Sequence, residues 1–181
     1  MALPPTLYAS LVGPIIPEAM ARIFANLTGA TRNGVTTMHL MMQSTGGNVG
    51  DGIALYNIFR TLPLDLHLYN GGMVASVAVI AFMGGHHRYA SAHSSFMVHR
   101  TRVNLQSQPT ASQLRAFMAS LRLDDKRTEA ILRTHTKIPA AKWRQLASND
   151  VHFNADEAVQ FGLADGIREF QVRAGDQIFD V

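Results

Sequence analysis

Cysteine is absent from this chain of 181 residues. That excludes a disulfide frame and any thiolate metal site, and it fits a reducing compartment. Charge is sparse as well: only 16% of residues are charged, and 16 Lys and Arg against 13 Asp and Glu leave a net charge of +3. The pI near 9.6 therefore reflects few acids rather than a basic patch, and no nucleic-acid partner is expected. No uninterrupted apolar run reaches the length needed to span a bilayer. The opening MALPPTLYASLVGP lacks a basic region ahead of an apolar core, and Pro4 and Pro5 oppose a signal helix. The expectation is a cytoplasmic protein with no membrane partner. Repeats, low-complexity tracts and linkers are also missing, so residues 1–181 are expected to form one domain, large enough to bury a core from their 47% hydrophobic content.

What is present is an alternation of apolar runs that suit buried strands with segments of helical period, which points to an α/β layered fold. Residues 6–12 (TLYASLV) read as a strand, and Pro17 suits the first turn of a helix in which Met20, Ile23, Phe24 and Leu27 repeat at three and four. Residues 35–43 are a second strand; the turn STGGN (44–48) feeds a helix carrying Ile53, Tyr56 and Phe59, which Pro63 ends. Residues 64–69 are a third strand, predicted to enter a turn at Gly71 and Gly72, with further strands around 87–91 and 95–98. Sites in parallel sheets lie beyond the strand C-termini, where both glycine pairs are expected. In the second half Thr110 and Gln113 form a capping box ahead of a long helix over about 111–134, and NADEAVQFGLADGI (154–167) reads as a capped helix stopped by Gly162.

The stretch GGMVASVAVIAF (71–82) carries one hydroxyl, that of Ser76, inside a strongly apolar run. A serine in a buried helix ordinarily bonds a carbonyl one turn back. After a glycine turn, however, a helix beginning at Val74 would hold Ser76 in its first turn, where free N–H groups favour developing negative charge. The literal G-x-S-x-G elbow is absent. Of eight histidines, His39 and His67 fall within strands, His86 and His87 adjoin a loop, His135 sits at a helix end where the dipole favours imidazolium, and His93 and His152 fall in loops. His99 ends the strand SSFMVHR at the same edge as Ser76. Asp150, just ahead of the extended VHFN, is the acid available to orient it. Neither a metal nor a cofactor is expected.

With these residues in view, the chain from Leu7 to Ile167 resembles the proteolytic subunit family of the caseinolytic Clp protease, ClpP. QSTGG (43–47) stands where that family has N-S-P-G-G, and GMVAS (72–76) where it has G-x-A-A-S. SSFMVH (94–99) matches the strand ending in the family's catalytic histidine, and NDVHFNADEAVQFGLAD (149–165) the segment R-D-x-x-x-S-A-x-E-A-x-x-Y-G-L-x-D. The resemblance implies the layered βα-repeat fold shared with crotonases, with a head over about 1–100 and 139–181 and a protruding handle helix over about 101–138. It implies Ser76 as nucleophile, His99 as base and Asp150 as orienting acid, with the N–H groups of Gly47 and Val77 as oxyanion hole. Unfolded protein or peptide substrate would lie extended between Gly46, Gly47, Asn48 and Val49 on one side and Thr101, Arg102 and Val103, continuing to about Leu105, on the other. The implied assembly is a homo-oligomeric ring, a heptamer or double heptamer, and the implied activity is serine endopeptidase.

Departures from the family pattern bear on partners. An AAA+ unfoldase is the further partner implied, but the chain starts only a few residues before its first strand, where the family has a long segment that helps dock it; this argues against docking. Ser148 and Asn149 replace the family's Asp-Arg pair that links rings, which leaves single and double rings both open. Arg100, Thr101, Arg102 and Val103 replace the Gln-Pro and Gly-Gly that usually follow the histidine. Two other classes share the features read so far: a non-proteolytic ClpP-like assembly subunit and, further off, a crotonase-type acyl-CoA enzyme, which has a two-amide oxyanion hole but no need of all three triad residues.

Overall fold

Parallel pairing dominates the computed structural model, which describes residues 5–103 and 108–181. Its first strand, β1 (Thr6–Val12), alternates buried Leu7, Ala9 and Leu11 with half-buried neighbours, as a sheet covered on one face requires. Helix α1 (Pro17–Arg32) starts with proline at its first position and buries Met20, Ile23 and Leu27; the predicted Phe24 is exposed. The chain then forms β2 (Thr37–Ser44), α2 (Val49–Phe59), β3 (Asp65–Ala75) and α3 (Val77–Phe82), followed by β4 (His87–Ala90) and β5 (Ser95–Val98). The second half contributes α4 (Ala111–His135), α5 (Ala140–Leu146), β6 (Val151–Asn154), α6 (Ala155–Gln160), β7 (Gly166–Ile167) and β8 (Ile178–Asp180).

The eight strands form one sheet in the order β6-β5-β3-β2-β1-β8, with β4 pairing both β3 and β7. Among the described residues only β5 and β6 pair antiparallel. β3 is long enough to serve two neighbours, pairing β4 over His67 to Asn70 and β5 over Met73 to Ala75. Helix α3 is buried at every position. At roughly 1.5–3 kcal/mol for each large apolar side chain removed from water, that burial anchors whatever residue precedes the helix. No helix among the described residues is long and apolar enough to cross a membrane.

Several local expectations are corrected. Gly71 and Gly72 do not turn: they lie inside β3, where a Cβ on Gly71 would come within 2.9 Å of the Met41 side chain. Ser76 accordingly stands just ahead of its helix rather than in the first turn. His152 belongs to β6, not to a loop, whereas His87 opens β4, where a strand is expected. His135 does end α4, but burial, with the charges of Arg88 and Arg60, pushes its pKa below the ordinary imidazole value, and its Nε2 lies 2.8 Å from the Tyr56 hydroxyl. The predicted capping box of Thr110 with Gln113 is formed, and the capped helix expected from Asn154 starts with a second such box, Asn154 with Glu157.

Candidate active site

Three parallel strands end at one edge of the sheet, and each delivers part of the candidate site. β2 leads into Ser44 and the glycine turn, β3 into Ser76, and β5 into His99. The Ser76 N–H donates to the Met97 carbonyl at 2.7 Å, so the serine backbone is fixed beside the end of β5. Asp150 arrives from the other direction. Antiparallel pairing sets Val151 opposite Val98, with Cα atoms about 5 Å apart. The residues flanking that pair, Asp150 and His99, therefore lie side by side along the backbone.

Ser76 has φ 58° and ψ −132° and is the one described non-glycine residue with positive φ. A side chain in such a region costs about 1–3 kcal/mol, and the cost persists only where the surroundings enforce it. Here the fully buried α3 and the end of β3 enforce it. The hydroxyl makes no capping bond to the helix. The glycine turn packs directly on it: a Cβ on Gly46, which has φ 98°, would lie 2.7 Å from the Ser76 Cβ and 3.1 Å from its Oγ. A Cβ on Gly47 would fall 2.0 Å from the carbonyl oxygen of Ile15, the residue with which Gly47 forms an isolated parallel bridge. Among the described residues, neither the Gly47 nor the Val77 N–H has an acceptor, and both residues line the cleft that holds Ser76.

His99 lines that same cleft, but no hydrogen bond joins it to Ser76 or to Asp150. Its Nδ1 lies 2.6 Å from the Arg100 carbonyl oxygen, an arrangement that places the proton on Nδ1 and leaves Nε2 as the free lone pair. The Asp150 carboxylate is engaged by the Arg102 guanidinium. Arg100 is held in turn by Glu129, 2.9 Å away, and the Thr101 N–H donates to Asp125 at 2.7 Å, so the segment after His99 is tied to α4. Burial raises the Glu129 carboxyl, but the hydrogen bonds from Arg133 and Arg100 outweigh it and hold the group below its ordinary value.

Neither candidate substrate segment forms a strand among the described residues. Gly47 makes an isolated bridge, Asn48 holds the position just ahead of α2 without a side-chain capping bond, and Val49 begins that helix. Thr101 to Val103 is irregular, and Asn104 and Leu105, included in the expected strand, lie outside the described residues. The two segments nonetheless face each other across one groove, floored by Phe117, Ser120 and Leu121 of α4. Sequence reasoning missed the apolar wall beside Ser76, built from Ile80, Val98, Leu132, Trp143 and Leu146. Trp143 is fixed there by its Nε1–H donating to the Ile138 carbonyl at 2.9 Å, with the Arg133 guanidinium 4.2 Å from the ring centroid. Trp143 and Leu146 stand three residues apart, the spacing of one helix face, but no local pattern shows which element that face meets.

A family model described as Clp protease matches residues 8–171. The ATP-dependent Clp protease proteolytic subunit 4 of Rhodococcus jostii (strain RHA1) is 32% identical over 128 residues, 70% of this chain and 65% of that protein. Subunit 3 of the same organism is 28% identical over 130 residues, 71% of this chain and 63% of its own length. Subunit 2 of Thermobifida fusca (strain YX) is likewise 28% identical over 130 residues, again covering 71% and 63%. The matched region thus spans just under two thirds of each relative.

Proposed function

The chain belongs to the Clp protease family, and on that premise we propose that it is a serine endopeptidase acting on unfolded polypeptides or short peptides inside an oligomeric ring. The observation that carries this reading is Ser76, held in a strained conformation at a strand-to-helix junction and facing a cleft shared with His99.

His99, with Nδ1–H bonded to a carbonyl, offers its Nε2 lone pair to the Ser76 hydroxyl. As Oγ attacks the scissile carbonyl, His99 takes the proton, and the resulting oxyanion is met by the N–H groups of Gly47 and Val77. One such donor is typically worth about 3–4 kcal/mol in the transition state. Collapse of the tetrahedral intermediate passes the proton from His99 to the leaving amine, and water repeats the sequence to free the acyl group. Asp150 takes over the Nδ1–H once it is released from Arg102. The groove between Gly47 to Val49 and Thr101 to Val103 receives the extended peptide, and the apolar wall around Trp143 favours an apolar side chain next to the scissile bond. A ring of seven, or two such rings, encloses the sites; an AAA+ unfoldase is not required for short peptides.

One observation favours a second reading: Asp150 is paired with Arg102 rather than with His99, as a non-proteolytic assembly subunit would permit. Cleavage of an unstructured casein-like substrate and of a peptide series varied at the residue before the scissile bond separates the two. Turnover that prefers apolar residues and disappears in Ser76→Ala supports the peptidase. Absence of turnover in an assembled ring supports the subunit.

A further inference from the structure

The half-buried face of the sheet carries a row of rings that the peptidase chemistry does not use. Parallel register sets Tyr8 beside His39, His39 beside His67, and His67 beside His87. The His67 ring lies between those of His39 and His87, with centroids 4.7 and 4.3 Å away, tilted against the first and stacked on the second. At the start of β3 the Asp65 carboxylate reaches two of these rings. Its Oδ2 lies 2.8 Å from His67 Nε2, and its Oδ1 lies 3.2 Å from His87 Nε2. One ligand atom from each residue falls within 4.8 Å of the other two.

We propose that Asp65, His67 and His87 form a binding site for a borderline divalent transition-metal ion, of which Zn2+ is the reference case, with at least one coordination position open to solvent. Donors at about 2.0–2.1 Å around a tetrahedral ion lie roughly 3.3 Å from one another, so separations of 2.8 and 3.2 Å need little adjustment. Two imidazoles and one carboxylate suit Zn2+, Ni2+ or Cu2+; Mg2+ and Ca2+ demand mostly oxygen. The side chains of Asp65 and His87 are 47% and 46% exposed, so they can move onto an entering ion, while His67, 14% exposed, is held by stacking. His67 Nδ1 is buried without a hydrogen-bond partner, and ligand histidines normally use that nitrogen for outer support. The affinity should therefore fall roughly 10- to 100-fold below that of a fully supported site.

The bound ion would clamp β3 to β4 at their starts. Ser76 follows the far end of β3, roughly 30 Å away at about 3.3 Å per residue, so the site is separate from the candidate active site and does not depend on its assignment. No sequence spacing advertises it, because His67 and His87 meet only through strand register.

Titration of the untagged full chain with Zn2+ by calorimetry and with Co2+ by visible absorption tests the proposal. One ion should bind per chain, with d–d bands typical of a nitrogen-and-oxygen site of low coordination number. Zn2+ at about a hundredfold above its Kd should raise Tm by roughly 5–10 °C. Asp65→Ala and His87→Ala, both at exposed positions, should each weaken binding at least tenfold, while His93→Ala and His152→Ala should leave it unchanged. Labelling of Ser76 by a fluorophosphonate should be undiminished in EDTA, which keeps this outcome distinct from that of the peptidase reading. Absence of saturable binding below millimolar Zn2+, or binding indifferent to Asp65→Ala and His87→Ala, would overturn the site.

Discussion

Ser76 stores strain at the position proposed to act as nucleophile, and that has a consequence for stability. Glycine tolerates φ 58° without penalty, whereas alanine keeps the conflict between Cβ and backbone. Ser76→Gly should therefore raise Tm by roughly 2–4 °C over Ser76→Ala, equivalent to about 1 kcal/mol, even though both variants lose peptide cleavage by roughly 10^4- to 10^6-fold. Equal melting temperatures in a thermal scan would show that no strain resides at this residue. The Arg102 contact with Asp150 yields a second pair of variants. Asp150→Asn should lower kcat by about 10^4-fold by favouring the wrong tautomer of His99. Arg102→Ala frees the carboxylate and should leave kcat/KM at least at the parent value; a collapse instead, measured with the same peptide, would make Arg102 a positioning residue rather than a restraint.

Between elements, the segment that follows His99 and helix α4 are joined by Arg100 with Glu129 and by Thr101 with Asp125. The Glu129 carboxyl is depressed in the folded chain from an ordinary value of 4.5, so its contribution to stability is fully present above that value and is lost as pH falls through the lower folded one. The protection of the amides at 99–102 against hydrogen exchange, relative to the intrinsic rate at each pH, should accordingly fall on acidification below about pH 4.5, and Glu129→Gln should show the reduced protection already at neutral pH. Much of this level was legible in the sequence. Proline at the start of α1, the Thr110 capping box and the apolar runs of the first two strands are local signals, and they placed the start of α1, α4, β1 and β2 within a few residues. Gly71 and Gly72 misled because glycine signals a turn and a close approach alike, and the second applies: Met41 of the neighbouring strand lies against Gly71. The pairing of Arg102 with Asp150, the apolar wall around Trp143 and the meeting of His67 with His87 are contacts between distant segments, which no local pattern encodes.

For the whole molecule, α4 is the feature a lone chain does not explain. Of its 25 residues only Leu132 is buried, and Leu114, Phe117 and Met118, spaced three and four apart on one side, are exposed. An apolar stripe of this kind is stabilised by covering it, which fits assembly through the handle. Native mass spectrometry should find a ring-sized oligomer that Leu114→Glu combined with Met118→Glu dissociates, with loss of casein cleavage; a fully active monomer would contradict enclosure of the sites. The central claim, that Ser76 is an activated nucleophile served by His99, is tested most directly by fluorophosphonate labelling followed by peptide mapping of the assembled protein. The expected result is a single modified residue, Ser76, with labelling abolished in Ser76→Ala and strongly slowed in His99→Ala. Modification at another residue, or none in an assembled ring, would contradict it.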